Sequence, residues 1–188
     1  MITITPENME KAQGLLAKAP KQVELAASAA INRTMISVRK QVSVSIRANY
    51  IIKAGDIKSA LSISRAGGSG LTGEIKAKGP APLLTAFRVS IYKRTKRGKT
   101  KPIKAQVLKS SGAKVVRGAF FNVSKSGYAG LMQRTSSSRY PLRIPHGPSV
   151  PQMFGSERVL SELVPMAEET LNKRFLHEVE YRLGQLGE

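Results

Sequence analysis

Two long runs of regularly spaced apolar residues, one toward each end of the chain, constrain its fold most strongly. Apolar side chains three or four positions apart lie on one face of an α-helix, so the first run predicts an amphipathic helix from about residue 20 to 49. Its members are Val23, Ala27, Ile31, Met35, Val38, Val42 and Ile46. A second run predicts a C-terminal helix that Pro165 is expected to kink or divide. Its members are Val159, Leu163, Met166, Leu171, Phe175, Val179, Leu183 and Leu186.

Between the two predicted helices the apolar residues alternate with polar ones, which is the spacing of β-strands. Four segments have this alternation, 61–63, 71–77, 87–92 and 103–107, and two further strand candidates are 115–123 and 128–134. The glycines at 67, 68 and 70 predict a turn between the first two strands. The order of helix, strands and helix predicts an α+β fold, in which a long N-terminal helix and a C-terminal helix pack on a central antiparallel sheet.

A proline-rich stretch separates the predicted strands from the C-terminal helix. Residues 135–151 contain four prolines, and we expect an extended connector there because proline lacks the backbone N–H that helices and strands use. We therefore expect an α+β core over 1–151, with its basic sheet at 61–134, followed by a helical segment at 152–188. That segment belongs to the same domain or acts as a docking arm. Thr5, Pro6 and Glu7 predict the start of a further short helix that ends near Lys18.

The positive charge is distributed unevenly along the chain. The formal net charge is +19, and residues 61–150 hold eighteen Lys and Arg residues but one acid, Glu74. Residues 151–188 instead hold seven Glu and four Lys or Arg residues. This polarity predicts a polyanionic partner for the middle of the chain. It also predicts a basic partner surface for the C-terminal segment, which a neighbouring copy could offer.

Six cations lie within nine residues at the tip of the hairpin predicted at 87–107. We call this segment, 93–101, the basic tip, and its cations are Lys93, Arg94, Lys96, Arg97, Lys99 and Lys101. The tip either contacts nucleic-acid phosphates or is a solvated loop that prevents pairing between sheet edges. Repulsion among six like charges costs stability, which favours phosphate contact. Because Tyr92 is the one adjacent aromatic residue, such contact is expected to be independent of base sequence. Five more cations are expected beside the tip: Arg88, Lys104, Lys109, Lys114 and Arg117.

The residues that catalysis usually requires are sparse. There is no cysteine, and the two histidines, His146 and His177, do not have the spacing of metal ligands. We expect no enzymatic activity, no cofactor and no metal, although a nuclease that uses Glu74 and Asp56 is a third, minor alternative. No apolar run reaches the roughly 20 residues of a membrane span. We also expect no signal peptide, because the N-terminus lacks a basic start and an apolar segment.

Four segments together resemble one known family. They are Ala29–Arg33, Arg117–Phe121, Leu131–Arg134 and Arg139–Met153. Their order and spacing are similar to those of the minor tail protein Z family of tailed bacteriophages and prophages, whose members are also described as tail completion proteins. The similarity spans about residues 20–185, and residues 61–115 are the least similar part.

The resemblance implies a structural, non-catalytic protein of the virion tail or neck, assembled in the host cytoplasm. It would complete the head-proximal end of a long tail and join it to the head around the DNA path. It implies a homo-oligomer, expected to be a hexameric ring, whose partners are tail terminator, tail tube and head–tail connector proteins, with phage DNA also in contact and no membrane. The matched positions implied to be packing or interface residues are Asn32, Arg33, Phe120, Arg134, Pro141 and Pro148.

The main alternative is a free-standing protein that binds nucleic acid independently of sequence. Such a protein would share the positive charge but would not need a ring. It would bind DNA tightly as a monomer, with a steep dependence on salt concentration.

Overall fold

A computed structural model describes residues 20–67, 70–90, 102–123 and 129–186. The short helix expected near residues 5–18 and the basic tip at 93–101 lie outside these ranges. The described helices are α1 (Pro20–Asn49), α2 (Ala54–Ala60), α3 (Val150–Phe154) and α4 (Glu157–Leu186). A single turn of 3-10 helix spans Leu84–Ala86. The limits of α1 agree with those predicted from the first apolar run.

Eight short strands lie between the long helices. They are β1 (Leu61–Ser64), β2 (Glu74–Ala77), β3 (Arg88–Ser90), β4 (Lys104–Gln106), β5 (Lys114–Val115), β6 (Ala119–Val123), β7 (Ala129–Arg134) and β8 (Leu142–Arg143). They form three small antiparallel sheets, ordered β1–β2, β3–β4–β5 and β6–β7–β8. The predicted α+β class is confirmed, with the antiparallel strands divided among three sheets.

The chain groups into two compact units, and each is assembled from separate stretches of sequence. Unit 1 contains the residues up to Ser45, the segment Leu61–Lys78 and the residues from Phe154 onward. Unit 2 contains Ile46–Ala60 and Gly79–Met153. Helices α1 and α3 therefore each contribute residues to both units.

Unit 1 is built on α1 and α4, which run antiparallel. Three side-chain hydrogen bonds, of 3.1, 2.7 and 2.7 Å, join them: Arg182 to Gln22, Arg174 to Ser37 and Ser45 to Glu162. As the residue number on α1 increases, the residue number of its partner on α4 decreases, as expected for antiparallel helices. Small residues of α1 meet large residues of α4 in a buried cluster of Ala26, Ala27, Ala30, Leu171, Phe175 and Val179. The alanines allow the two helix backbones to approach closely.

The buried face of α4 differs from the predicted one at a single turn. Ala167 is fully buried and Met166 is half-buried, so the expectation for Met166 was wrong. The buried residues recur at every fourth position: Val159, Leu163, Ala167, Leu171, Phe175 and Val179. Each step of four advances by about 40° around a helix, so the buried face winds around α4 instead of staying on one side.

Helix α4 continues without a break through Pro165, so of the two effects expected there, a kink or a division, the division was wrong. Proline removes one N–H from the helix, which deprives the carbonyl of Ser161 of its partner four residues later. Ser161 and Pro165 are both exposed, so water can hydrogen-bond to that carbonyl. Pro165 is therefore tolerated within α4 at the cost of one backbone hydrogen bond.

The predicted strand pairs are confirmed where the structure describes them. In unit 1, Ile63 of β1 pairs with Ile75 of β2, and a bridge between Gly67 and Gly70 closes the glycine turn. In unit 2, Val89 of β3 pairs with Ala105 of β4, as the predicted hairpin requires.

The connector at 135–151 is more ordered than the prolines predicted. It contains β8, which pairs with Gln133 and Arg134 of β7, and α3 begins at Val150. The amide of Leu84 donates to the carbonyl of Pro145 at 2.9 Å. Proline lacks an N–H but keeps its carbonyl as an acceptor, so a proline-rich chain can still dock along a neighbouring segment. The expectation of no regular element there was wrong for these residues.

Candidate functional site

The two units carry equal positive charge but very different negative charge. Among the described residues, each unit has eleven Lys and Arg residues. Unit 1 also has eight Asp and Glu residues, whereas unit 2 has one, Asp56. The excess charge of the chain is therefore concentrated in unit 2, and unit 2 is where a polyanion would be attracted.

Three of the eight described carboxylates of unit 1 are engaged by cations of the same unit. Glu178 on α4 has a side chain that is 5% exposed, and Arg33 on α1 reaches its Oε1 atom at 2.5 Å. Glu74 pairs with Lys76 at 2.9 Å across the exposed face of β2. Lys173 hydrogen-bonds to Glu169 at 2.6 Å, and this bond, together with the charge of the ammonium group, lowers the pKa of the Glu169 carboxyl.

Asn32, one of the family-like residues, binds the backbone of the loop after β1. Its Nδ2 donates to the carbonyl of Ala66 at 2.8 Å, and its Oδ1 accepts from the amide of the same residue at 2.9 Å. Ser28, one turn earlier, donates to the same carbonyl at 3.0 Å. Asn32 and Arg33 thus connect α1 to other parts of unit 1.

Three of the five cations expected beside the basic tip, Arg88, Lys104 and Lys114, are divided between the two faces of the β3–β4–β5 sheet, whereas Lys109 and Arg117 lie outside its strands. Arg88 pairs with Gln106 and Ser90 pairs with Lys104. Because paired residues share a face and alternate residues return to it, Arg88 and Lys104 lie on the same exposed face. Lys114 pairs with the buried Ala105 and therefore belongs to the opposite face. The six cations of the tip itself lie outside the described residues.

The β6–β7–β8 sheet brings together two arginines that the sequence did not connect. Gln133 of β7 lies between them: its Nε2 donates to the carbonyl of Arg117 at 2.8 Å, and its Oε1 accepts from Nε of Arg143 at 2.9 Å. We call Arg117, Gln133 and Arg143 the arginine pair site. Neither guanidinium forms an ion pair with any residue that the structure describes.

Two open depressions border the arginine pair site. One, of about 590 Å³, is lined by Leu84, Val115, Val116, Ile144, Pro145 and His146 in addition to the site residues. The other, of about 380 Å³, shares the three site residues and adds Gly118, Arg134, Thr135 and Ser136. The site thus forms a boundary between two concave surfaces that are rich in hydrogen-bond donors.

A tight turn before β6 sets the position of Arg117. Gly118 has a φ of +69°, which residues with a Cβ rarely adopt. Its carbonyl accepts a hydrogen bond from the amide of Arg134 at 3.0 Å. A Cβ at this glycine would lie 3.3 Å from the carbonyl oxygen of Arg134. Glycine is therefore required for the turn that places Arg117 next to Gln133.

The other family-like residues lie in unit 2. The guanidinium of Arg134 lies over the ring of Phe120, 5.4 Å from its centroid, in the range of a cation–π contact. The carbonyl of Pro141 accepts from the hydroxyl of Thr135 at 3.2 Å, and the Tyr140–Pro141 peptide bond is cis. Pro148 is half-buried beside Gly147.

The two histidines do not belong to a metal-binding cluster in the part of the chain that the structure describes. His146 and His177 are both exposed. No group of three or more His, Cys, Asp or Glu residues within those ranges is arranged to hold a metal ion. None of the helices described is long and apolar enough to cross a membrane.

The model of the prophage minor tail protein Z (GPZ) family matches residues 9–186, all but ten of the 188 residues. The chain belongs to this family. It is therefore a phage minor tail protein, with a structural role in the virion tail. Comparisons with curated proteins and with solved structures gave no match.

Proposed function

We propose that this minor tail protein completes the head-proximal end of a long tail and joins it to the filled head around the path of the DNA. The charge of unit 2 carries the proposal, since eleven cations against one acid suit a surface that faces a polyanion. Its role is non-catalytic: it holds neighbouring proteins and DNA in place.

The assembly that fits this role is a homo-oligomeric ring, proposed as a hexamer. A ring places one copy of unit 2 per subunit around a shared axis, which multiplies its charge there. Its neighbours would be tail terminator or tail tube proteins on one side and head–tail connector proteins on the other. The mixed charge of unit 1, with eleven cations and eight acids among its described residues, suits contacts with such proteins better than with DNA.

Within this assembly the basic tip is proposed to contact either DNA in the lumen or the adjacent ring. The family-like residues are proposed as packing or interface residues: Asn32, Arg33, Phe120, Arg134, Pro141 and Pro148. The contacts of Asn32 with Ala66, of Arg33 with Glu178 and of Arg134 with Phe120 support the packing role.

Replacing the six cations of the basic tip with serine tests the proposal. We expect the variant to fold, since Lys and Arg side chains rarely contribute to an apolar core, but to join few heads to tails. The yield of infectious particles is the measurement. A matched control exchanges Lys and Arg at the same six positions, keeps the charge and should retain the yield. An undiminished yield from the serine variant would count against a role of the tip in joining.

The alternative of a free-standing nucleic-acid-binding protein rests on the same charge. The native mass of the purified protein and its position in virion images separate the two. A ring located at the end of the tail, with weak binding of free DNA, supports tail completion. A monomer that binds duplex DNA tightly and is absent from the virion supports the alternative.

A further inference from the structure

We propose that the arginine pair site (Arg117, Gln133 and Arg143) binds phosphate groups of a nucleic-acid backbone. This is a second contact, separate from the basic tip. It deepens the proposed function and rests on it, because it names which described residues of unit 2 would meet the DNA. No base is read at this site, since arginines that contact phosphates position a protein without specifying sequence.

The first argument is how Gln133 uses its side-chain amide. A guanidinium has five N–H donors, and Gln133 engages one of them, Nε of Arg143, at 2.9 Å. The same amide donates to the carbonyl of Arg117 at 2.8 Å. Gln133 is therefore a positioning residue that orients Arg143 while leaving the four Nη donors of that arginine for an acceptor. Two such donors in parallel match the oxygens of a phosphate.

The second argument is the absence of internal counter-charge. Residues 79–153 contain no Asp or Glu, and Asp56 is the one acid in the described part of unit 2. Arginine is almost never fully buried without a partner, whereas an exposed arginine without an internal partner can bind an external anion. The exposed Arg117 and Arg143 border two concave surfaces of about 590 and 380 Å³. An external anion would supply the missing charge.

The third argument decides between nucleic acid and an acidic surface of a second copy. Helix α4 is the most acidic element, with six Glu residues, but it also has four Lys and Arg residues. Of those glutamates, Glu178 is bound to Arg33 and Glu169 to Lys173. A duplex carries one negative charge per roughly 1.7 Å of its axis. Nucleic acid therefore balances the charge of unit 2 far better than another copy does.

The test measures how the affinity of the full-length protein for a duplex DNA of random sequence depends on salt. Log K falls linearly as log salt concentration rises, and each phosphate that is neutralised adds about 0.9 to the steepness of this fall, which we call the slope. The double variant Arg117→Gln/Arg143→Gln should lower the slope by about 1.8, corresponding to two phosphates. A matched control, Lys40→Gln/Arg65→Gln, removes the same charge at two exposed positions of unit 1 and should leave the slope unchanged.

A second variant, Gln133→Glu, tests the same site without removing an arginine. The new carboxylate lies next to Nε of Arg143 and neutralises the charge of that guanidinium internally, so the slope should fall by about 0.9. All variants are also made in the protein in which serine replaces the six cations of the basic tip, so that DNA binding by the tip does not mask the change in slope. Thermal unfolding shows whether each variant is folded, and Gln133→Glu keeps the test valid if the double variant is not.

The outcomes separate this site from the proposed function. An unchanged slope for both site variants, or an equal fall in the control, would overturn the phosphate site. Unchanged DNA binding together with a loss of self-association would assign the arginines to a second copy and would also overturn it. If the slope falls as expected while phage that lack the protein still join heads to tails normally, the phosphate site stands and the tail-joining function fails.

Discussion

Replacing Asn32 with alanine should destabilise the protein by about 2–3 kcal/mol. The change removes both hydrogen bonds to the backbone of Ala66, a residue that is 5% exposed. The amide of Ala66 then lacks an acceptor, and a buried polar group left without a partner costs about 1–3 kcal/mol. The carbonyl loses one donor but keeps the hydroxyl of Ser28 at 3.0 Å, which limits the additional cost to about 0.5–1 kcal/mol.

Ser28 provides the matched comparison within the same network. Ser28→Ala leaves Asn32 donating to the carbonyl of Ala66, so it should cost only about 0.5–1 kcal/mol. In the double variant that carbonyl has neither donor. The combined loss should therefore exceed the sum of the single losses by about 1 kcal/mol, as expected for residues that share a partner.

Urea unfolding of the four proteins, followed by circular dichroism, measures these differences as shifts of the midpoint. Ser59→Ala serves as a control, because its hydroxyl bonds to the carbonyl of Asp56 at an exposed position and its loss should cost less than about 0.5 kcal/mol. A change below about 0.5 kcal/mol for Asn32→Ala would refute the reasoning. So would losses that simply add. The role of Asn32 as a family-like residue would then lie in contacts with other chains and not in packing within this one.

Two further predictions concern single packing contacts, each read out by thermal unfolding. Arg33→Met leaves the buried carboxylate of Glu178 without its partner, and we expect a loss of about 2–3 kcal/mol, between the values for exposed and buried ion pairs. Adding Glu178→Leu should recover most of that loss, and a double variant no more stable than the single one would contradict this. Gly147→Ala should cost about 1–3 kcal/mol, because the added Cβ would lie 2.7 Å from Cζ and 2.9 Å from Cδ2 of Phe87. Gly55→Ala on α2 is the control, because no atom lies within 4 Å of the new Cβ. It should stabilise the protein by about 0.5 kcal/mol. Equal effects of the two substitutions on stability would contradict the steric explanation.

Local periodicity was sufficient to predict most elements of the fold. The spacing of apolar residues predicted α1 with its limits, and the alternation around Val89 and Ala105 predicted a strand pair that the structure contains. The same approach placed Met166 in the core instead of Ala167. Helical spacing identifies an apolar face, but the way that face winds depends on the shape of the surface against which the helix packs.

The connector shows a second limit of local patterns. Its prolines correctly predicted an extended chain, since they exclude a helix over residues 139–149. They did not predict that Leu142 and Arg143 would pair with β7. Proline restricts the backbone of its own residue and of the one before it, whereas strand pairing depends on whether an unpaired edge lies within reach.

The sequence by itself determined the amount and sign of the charge, the two long helices and the family-like segments, because these depend on residue types and on short spacings. Tertiary structure decided how the charged residues are divided between the two units. It grouped the acidic α4 with α1 in unit 1 and left unit 2 with one described acid. It also joined Gln133 to Arg117 and Arg143, which are 16 and 10 positions away. Such contacts depend on the register of β7 with its neighbours, and a shift of one residue would turn Gln133 to the opposite face.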